Sequence, residues 1–245
     1  MDIITSPDFT RFRRVATWIF DLDNTLYPAE CNLFAQVDQR MGAFISELLG
    51  VDRAEAKRIQ KDYYFRYGTT LAGLMREHQL PPERFLDYVH DIDLAPVCEA
   101  PLLGAALERL PGRKYIFTNG SRRHAERVAG KLGVLHHFDG LFDIAACNYV
   151  PKPSAEAYNA FLRAHEVEAK AAAMFEDLPH NLESPHALGM ATVLVRSTHV
   201  EHPTQKAMAE WRVLPPHIHH MTDDLTGFLQ EVLAAMPDTS IAKSV

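Results

Sequence analysis

Short apolar runs that break off into polar residues recur along the chain. Residues 15–20 (VATWIF) lead into Asp21, residues 115–117 (YIF) into Thr118 and Asn119, and residues 171–175 (AAAMF) into Glu176 and Asp177. Residues 141–147 and 191–195 read the same way. These runs are too short for helices and lack polar alternation, which predicts strands buried on both faces. Helical patterns lie between them. Ser121 is placed to cap a helix reaching about residue 132, where Gly133 ends it. Pro153 suits a first helical position, ahead of Tyr158, Phe161, Leu162 and His165 at helical spacing. Strand alternating with helix predicts an α/β fold, a Rossmann-like three-layer parallel sheet. Ligands of such sheets bind beyond the carboxyl ends of the strands, where all three polar clusters fall.

The stretch from about residue 31 to 93 differs. Phe34, Val37, Met41, Phe44 and Leu48 form an apolar stripe at helical spacing. Asp52 and Glu55 have the spacing of a capping box, and residues 69–79 and 82–91 predict two further helices. No buried strand interrupts them. The predicted organisation is a core made of residues 1–27 and 97–245, with a small helical cap, 28–96, inserted after the first strand.

Composition narrows the function classes. The 245 residues are 47% hydrophobic and 23% charged, ordinary for a globular chain with a substantial core. The formal charge is −7, with no basic stripe, which argues against a nucleic acid polymer as partner. A small anionic ligand stays compatible with it, because a site can be locally positive or carry a metal. The three cysteines, Cys31, Cys98 and Cys147, form no CxxC and suit a reducing compartment. No run approaches the roughly 18 apolar residues needed to span a bilayer, and no signal-peptide pattern opens the chain. A cytoplasmic protein without a membrane partner, monomer or homodimer, is the expectation.

The chemistry sits at the strand ends. Asp21 and Asp23 are two residues apart beyond the first strand, near enough to serve one substrate. Thr118, Asn119, Gly120 and Ser121 offer hydroxyls, an amide and free N–H groups at a helix start, a cradle for an anion. Lys152 stands between Pro151 and Pro153 as a placed positive charge. Glu176 and Asp177 close a buried strand, with Asn181 following. Each cluster alone is compatible with a plain turn, an ordinary cap, an exposed lysine or solvated acids. Together, four carboxylates against one lysine would repel one another unless a divalent cation intervenes. Oxygen-only ligands next to a phosphate favour magnesium.

In this order the motifs DLDNTLY (21–27), TNG (118–120), PKP (151–153) and ED (176–177) resemble those of haloacid dehalogenase superfamily phosphohydrolases. The resemblance spans residues 15–196. Within the superfamily, DLDNTLY and the cap stretch DYYFRYG (62–68) are most similar to the pyrimidine 5′-nucleotidase family. The resemblance implies a magnesium-dependent phosphomonoesterase working through an aspartyl-phosphate, acting on a small phosphorylated metabolite such as a pyrimidine nucleoside 5′-monophosphate. It implies Asp21 as nucleophile and Asp23 as acid and base, with Thr118 and Lys152 completing the catalytic set. Asp21, Asp23 (through its carbonyl), Asp177 and Glu176 (through water) would hold Mg2+. Asn24, Asn119 and Gly120 would bind substrate. Tyr63 and Tyr67 share a helical face suited to stacking a base, and Tyr64 points elsewhere. Taken without the resemblance, these rings read first as simple packing of the cap.

Alternatives remain at this point. A sugar-phosphate phosphatase or phosphomutase could use the same scaffold. A receiver-like phospho-aspartate module fits the motif order less well and has no use for a helical insertion. Dehalogenases lack an acid at the Asp23 position, since a halide leaves without a proton. The tract His217, His219 and His220 reads as a solvated loop rather than a metal site, and residues 237–245 as a frayed tail.

Overall fold

The computed structural model describes residues 8–197, 208 and 211–236. The tail read as frayed, 237–245, lies outside the described residues. Six strands form one all-parallel sheet, in the order β3-β2-β1-β4-β5-β6. The strands are β1 (Thr17–Phe20), β2 (Arg113–Phe117), β3 (Gly140–Phe142), β4 (Ala172–Glu176), β5 (Ala191–Val195) and β6 (His220–Thr222). This order reverses direction between β1 and β4, the switch point at which Rossmann-like sheets open a crevice. Asp21 follows β1 directly, and its amide still donates to the Phe175 carbonyl of β4 at 2.9 Å.

Apolar residues alternate between the two faces of the sheet. Ile19, Phe117, Met174 and Leu194 join Tyr158 and Phe161 of α7 (Ala155–Ala164) in one cluster. Trp18, Phe20, Ile116, Phe175 and Val193 join the other, with α5 (Pro101–Arg109), α6 (Arg122–Lys131) and α9 (Leu225–Ala235). Phe20 stacks on Phe175 at 4.6 Å, tying β1 to β4 beneath the crevice. A five-residue helix, α8 (Glu183–Ala187), precedes β5. The Rossmann-like three-layer architecture is therefore present as the apolar runs predict.

Between β1 and α5 the chain builds four helices, α1 (Leu33–Leu49), α2 (Arg53–Tyr67), α3 (Thr70–His78) and α4 (Pro82–Val89). Asp52 caps α2 by accepting from the Glu55 amide at 2.9 Å, and Gly68, at φ 83°, ends it. Pairs α1–α2, α2–α3 and α1–α4 pack together. No described helix is long and apolar enough to cross a membrane.

Several local expectations are corrected. The strand expected over 141–147 stops at Phe142, because Asp143 accepts from the amides of Arg122 (2.9 Å) and Ala146 (3.1 Å) and turns the chain. Helix α7 begins at Ala155 rather than at Pro153, with Ser154 as its cap accepting from the Glu156 amide. Phe34 stands 43% exposed while Val37 and Phe44 are buried, so the stripe on α1 begins one turn later than its pattern suggests. The histidine tract is not a solvated loop. His219 Nδ1 lies 2.8 Å from Thr192 Oγ1, His220 opens β6 alongside β5, and its ring stacks on Phe9 at 5.7 Å.

Candidate active site

The three strand ends at the switch point bring the polar clusters together. Asp21 leaves β1, Thr118 leaves β2, and Glu176 with Asp177 closes β4. Lys152 arrives from the loop before α7 and is almost wholly buried. Its ammonium donates to Asp21 Oδ1 at 2.6 Å, Glu176 Oε1 at 2.6 Å and the Phe117 carbonyl at 2.9 Å. An ammonium has three donors, and all three are engaged by protein. The loop that delivers the lysine is clamped by Asn119, whose Oδ1 accepts from the Lys152 amide at 2.9 Å and whose Nδ2 donates to its carbonyl at 3.2 Å.

Glu176 is fully buried. Besides Lys152, Oε1 accepts from Asn181 Nδ2 at 2.8 Å, and Oε2 accepts from the Leu178 amide at 3.0 Å. Asn181 is fixed in turn by Tyr158, whose hydroxyl donates to its carbonyl at 2.6 Å. Asp177 Oδ2 accepts from Asn24 Nδ2 at 3.3 Å, and Asn24 holds its left-handed φ of 58° in the turn after β1. Thr118 is buried and its Oγ1 accepts from the Gly120 amide at 2.9 Å, leaving the hydroxyl proton for an incoming oxygen. A Cβ on Gly120 would stand 3.2 Å from that oxygen and 3.4 Å from His124, so a side chain there would crowd both.

The electrostatics of this crowd are unbalanced. Burial pushes the Asp21 carboxyl up to about 7, and repulsion from Glu176 and Asp23 adds to a rise that Lys152 only partly opposes. Asp177 is raised well above the carboxylate range by burial, then by Glu176 and Asp21. Lys152 is raised: its two carboxylate partners outweigh the opposing effect of burial. One oxygen each from Asp21, Glu176 and Asp177 lies within 4.8 Å of the others. Buried carboxylates so close, with one lysine between them, suit a hard divalent cation such as Mg2+. Because both Glu176 oxygens are engaged by protein donors, Asp21 and Asp177 are the carboxylates best placed to ligate it.

Asp23 lives in a different environment. Its Oδ1 accepts from the Tyr27 hydroxyl at 2.7 Å and faces His124 Nε2 at 2.8 Å. Burial alone would raise this carboxyl, yet attraction and hydrogen bonding from His124, with the Tyr27 bond, hold it down at about 2. His90 stacks on His124 with centroids 4.4 Å apart, and burial lowers it to about 3.

The cap rings expected to meet substrate are engaged elsewhere. The Tyr63 hydroxyl pairs with His78 Nε2 at 2.7 Å, and the Tyr67 hydroxyl is bonded to Glu77 and Arg66. Both rings join α2 to α3. Tyr64 does not share their contacts with α3, and of the three cap tyrosines it is the one whose hydroxyl is raised, after burial, by the charges of Asp177 and Glu176. Tyr27 and His124 were missed as site residues. The signal for His124 is its place three residues after the Ser121 cap, in the first turn of α6. That spacing returns a side chain to the rim that Thr118 has just left.

Sheet order and rim chemistry place the chain among Rossmann-like α/β proteins with an acid-lined crevice at the switch point. Within that class it belongs to the haloacid dehalogenase-like hydrolase family, whose model matches residues 15–189. It is 29% identical over 209 residues to phosphate metabolism protein 8 of Saccharomyces cerevisiae, covering 77% of this chain. The chain spans 63% of the length of that relative. Among solved structures, a HAD phosphatase from Thermococcus onnurineus superposes with TM-score 0.58 at 17% identity, covering 91% of this chain and 99% of that one. The L-2-haloacid dehalogenase of Xanthobacter autotrophicus superposes with TM-score 0.54 at 14% identity, covering 91% and 100%. At these identities the structural likeness speaks for the fold.

Proposed function

We propose that the protein is a magnesium-dependent phosphomonoesterase that forms an aspartyl-phosphate on Asp21. One observation carries the reading. Asp21, gripped through Oδ1 by Lys152 beside Asp177, and Asp23, held by two donors, are two carboxylates in contrasting environments on one turn. Lys152, with a cation held beside Asp177, would keep Asp21 ionised for nucleophilic attack, and Asp23, bonded through Oδ1 alone, has its other oxygen left for proton transfer.

Asp21 attacks phosphorus through Oδ2, so an O–P bond forms as the ester P–O bond breaks. The departing alkoxide is a poor leaving group, and Asp23 supplies its proton. Without substrate, Tyr27 and His124 keep Asp23 ionised; negative charge arriving with the phosphoryl group raises its proton affinity. In the second half, Asp23 takes a proton from water as that water attacks phosphorus, releasing phosphate and restoring Asp21. Proton transfer of this kind is worth about 10²–10⁴-fold. Asp21, Asp177 and the Asp23 carbonyl would hold Mg2+, which when bound supplies the charge that offsets carboxylate–phosphate repulsion. Lys152 holds Asp21 in its attacking position, and the Thr118 hydroxyl donates to a phosphoryl oxygen.

The helical insertion serves as the cap over this crevice. Tyr149, on the core loop after β3, donates from its hydroxyl to Glu83 of α4 at 2.7 Å, one tie between the two. Tyr64, whose hydroxyl is raised by the charges of Asp177 and Glu176 after burial, supports with the pyrimidine 5′-nucleotidase resemblance a nucleoside 5′-monophosphate as substrate. Dehalogenation, the activity named for several proteins of this fold, has no use for the acid at Asp23. Phosphate release should be measured with Mg2+ across nucleoside monophosphates, sugar phosphates and an aryl phosphate. UMP and CMP should lead. A lead for small sugar phosphates overturns the nucleotide assignment alone, and no release from any ester overturns the phosphatase.

A further inference from the structure

Both donors that reach Asp23 land on the same oxygen. The Tyr27 hydroxyl and His124 Nε2 meet Oδ1 at 2.7 and 2.8 Å, and among the described residues no hydrogen bond engages Oδ2. His124 is 1% exposed, and its other nitrogen, Nδ1, has no partner among the described residues. A ring kept only for packing would be better replaced by an apolar one, since a buried polar atom without a partner is destabilising. Among the described residues, the one hydrogen bond of the His124 ring is to Asp23.

The surroundings fix the ring in that attitude. His124 lies in the first turn of α6, where its own amide donates to Oγ of the Ser121 cap at 3.3 Å. The flat stack with His90, tilted by 13°, sets the plane of the imidazole. His90 is itself held, with Nδ1 3.0 Å from Ser121 Oγ and its carbonyl accepting from Arg127 at 2.9 Å. Ser121, His90 and Arg127 thus buttress one ring whose Nε2 faces the acid.

We propose that His124 is a positioning residue for Asp23. With Tyr27 it locks Oδ1, so that Oδ2 alone is presented to the departing oxygen and later to water. This inference rests on the phosphomonoesterase reading and adds to it the device that orients the acid.

The test uses the difference between leaving groups. An alkyl phosphate needs its proton from Asp23, whereas p-nitrophenyl phosphate leaves as a stable anion and needs little help. The full-length protein with Mg2+ is compared with His124→Ala and His124→Gln, with circular dichroism confirming that each folds. The Gln amide can donate to Oδ1 from nearly the place of Nε2. For His124→Ala, kcat on the alkyl ester should fall about 100-fold, as for a reacting group misplaced by about 1 Å, with KM little changed. The loss of kcat/KM, which reports the step that expels the leaving group and not the later attack of water, should be several-fold smaller on p-nitrophenyl phosphate, and His124→Gln should recover most of the alkyl-ester activity. Equal losses of kcat/KM on both esters, an unchanged kcat, or Gln no better than Ala would overturn the positioning role while leaving the phosphatase intact. A wild-type chain that hydrolyses neither ester removes the underlying reading, and this role with it.

Discussion

Lys152 Nζ stands 2.6 Å from Asp21 Oδ1 and equally close to Glu176 Oε1, with the Phe117 carbonyl as its third acceptor. The lysine is thus the centre of a buried cluster that includes the proposed nucleophile. Glu176 is needed to hold the lysine, and Asn181 and the Leu178 amide are needed to hold Glu176. Through this chain of contacts, residues far from any phosphate determine where Asp21 points.

Removing the ammonium should therefore damage folding as well as turnover. Breaking a buried pair by deleting one partner is typically destabilising by about 3–5 kcal/mol. In Lys152→Met, urea unfolding at pH 8 should shift by about that much, and less at pH 5, where the orphaned carboxyls take up protons. Lys152→Arg should also lose activity, since a planar guanidinium cannot address three acceptors grouped around one nitrogen. A Met variant as stable as wild type at pH 8 would contradict the cluster described above.

Asp21 makes the opposite prediction for stability. Its carboxyl is raised to about 7 in the fold against an ordinary value of 3.8. Between those values the folded state holds a proton that the unfolded chain has released, so folding stability falls as pH climbs from about 4 to about 7. Above 7 the penalty is complete, and below 4 it is absent. Asp21→Asn keeps an acceptor for Lys152 but removes this penalty. In EDTA the variant should gain stability over wild type as pH rises through that window, while phosphate release disappears. A constant difference between pH 4 and 8, or residual turnover, would contradict the assignment.

Much of this was legible in the chain because strand ends carry the chemistry. Runs ending at Phe20, Phe117 and Phe175 are apolar on both faces, so their strand character and their polar exits stand out without knowledge of contacts. Capping residues such as Ser121 and Asp52 act within a few positions, which a local pattern reveals. What stayed hidden depends on side-chain contacts made across the fold. His124 meets Asp23, 101 residues away along the chain, only because β1 and β2 are neighbours in the sheet. Tyr63, Tyr64 and Tyr67 look interchangeable in sequence. Their roles divide only when α3 packs against one side of α2, taking Tyr63 and Tyr67 but not Tyr64. The edge strand β6 is three residues of mixed polarity and owes its form to pairing with β5.

Metal addition offers a check that does not depend on knowing the substrate. A ligand that binds only the folded state raises its stability by mass action. Mg2+ should raise the melting temperature of the EDTA-treated protein at pH 8 and do so much less at pH 5, where protons compete for Asp21 and Asp177. Asp177→Asn should abolish the rise. A shift equal at both pH values, or preserved in the variant, would place the ion elsewhere.

The contact between α2 and α3 sets two familiar effects against each other at Gly73. Replacing a helical glycine by alanine ordinarily stabilises by about 1 kcal/mol. Here a Cβ on Gly73 would fall 2.3 Å from Tyr63 Cγ and 2.4 Å from Tyr63 Cβ. The clash with Cβ cannot be relieved by turning the ring, because that atom is fixed by the backbone of α2. The ring is also buried and tied through its hydroxyl to His78. The two helices must move apart, and overpacking of this kind costs about 1–3 kcal/mol. Gly73→Ala should therefore lower the melting temperature despite its better helix propensity. Activity at low temperature should change mainly in KM, because the site residues on the sheet are untouched while the cap that carries Tyr64 is displaced. A Gly73→Ala protein more stable than wild type would show that α3 does not pack against Tyr63 as described.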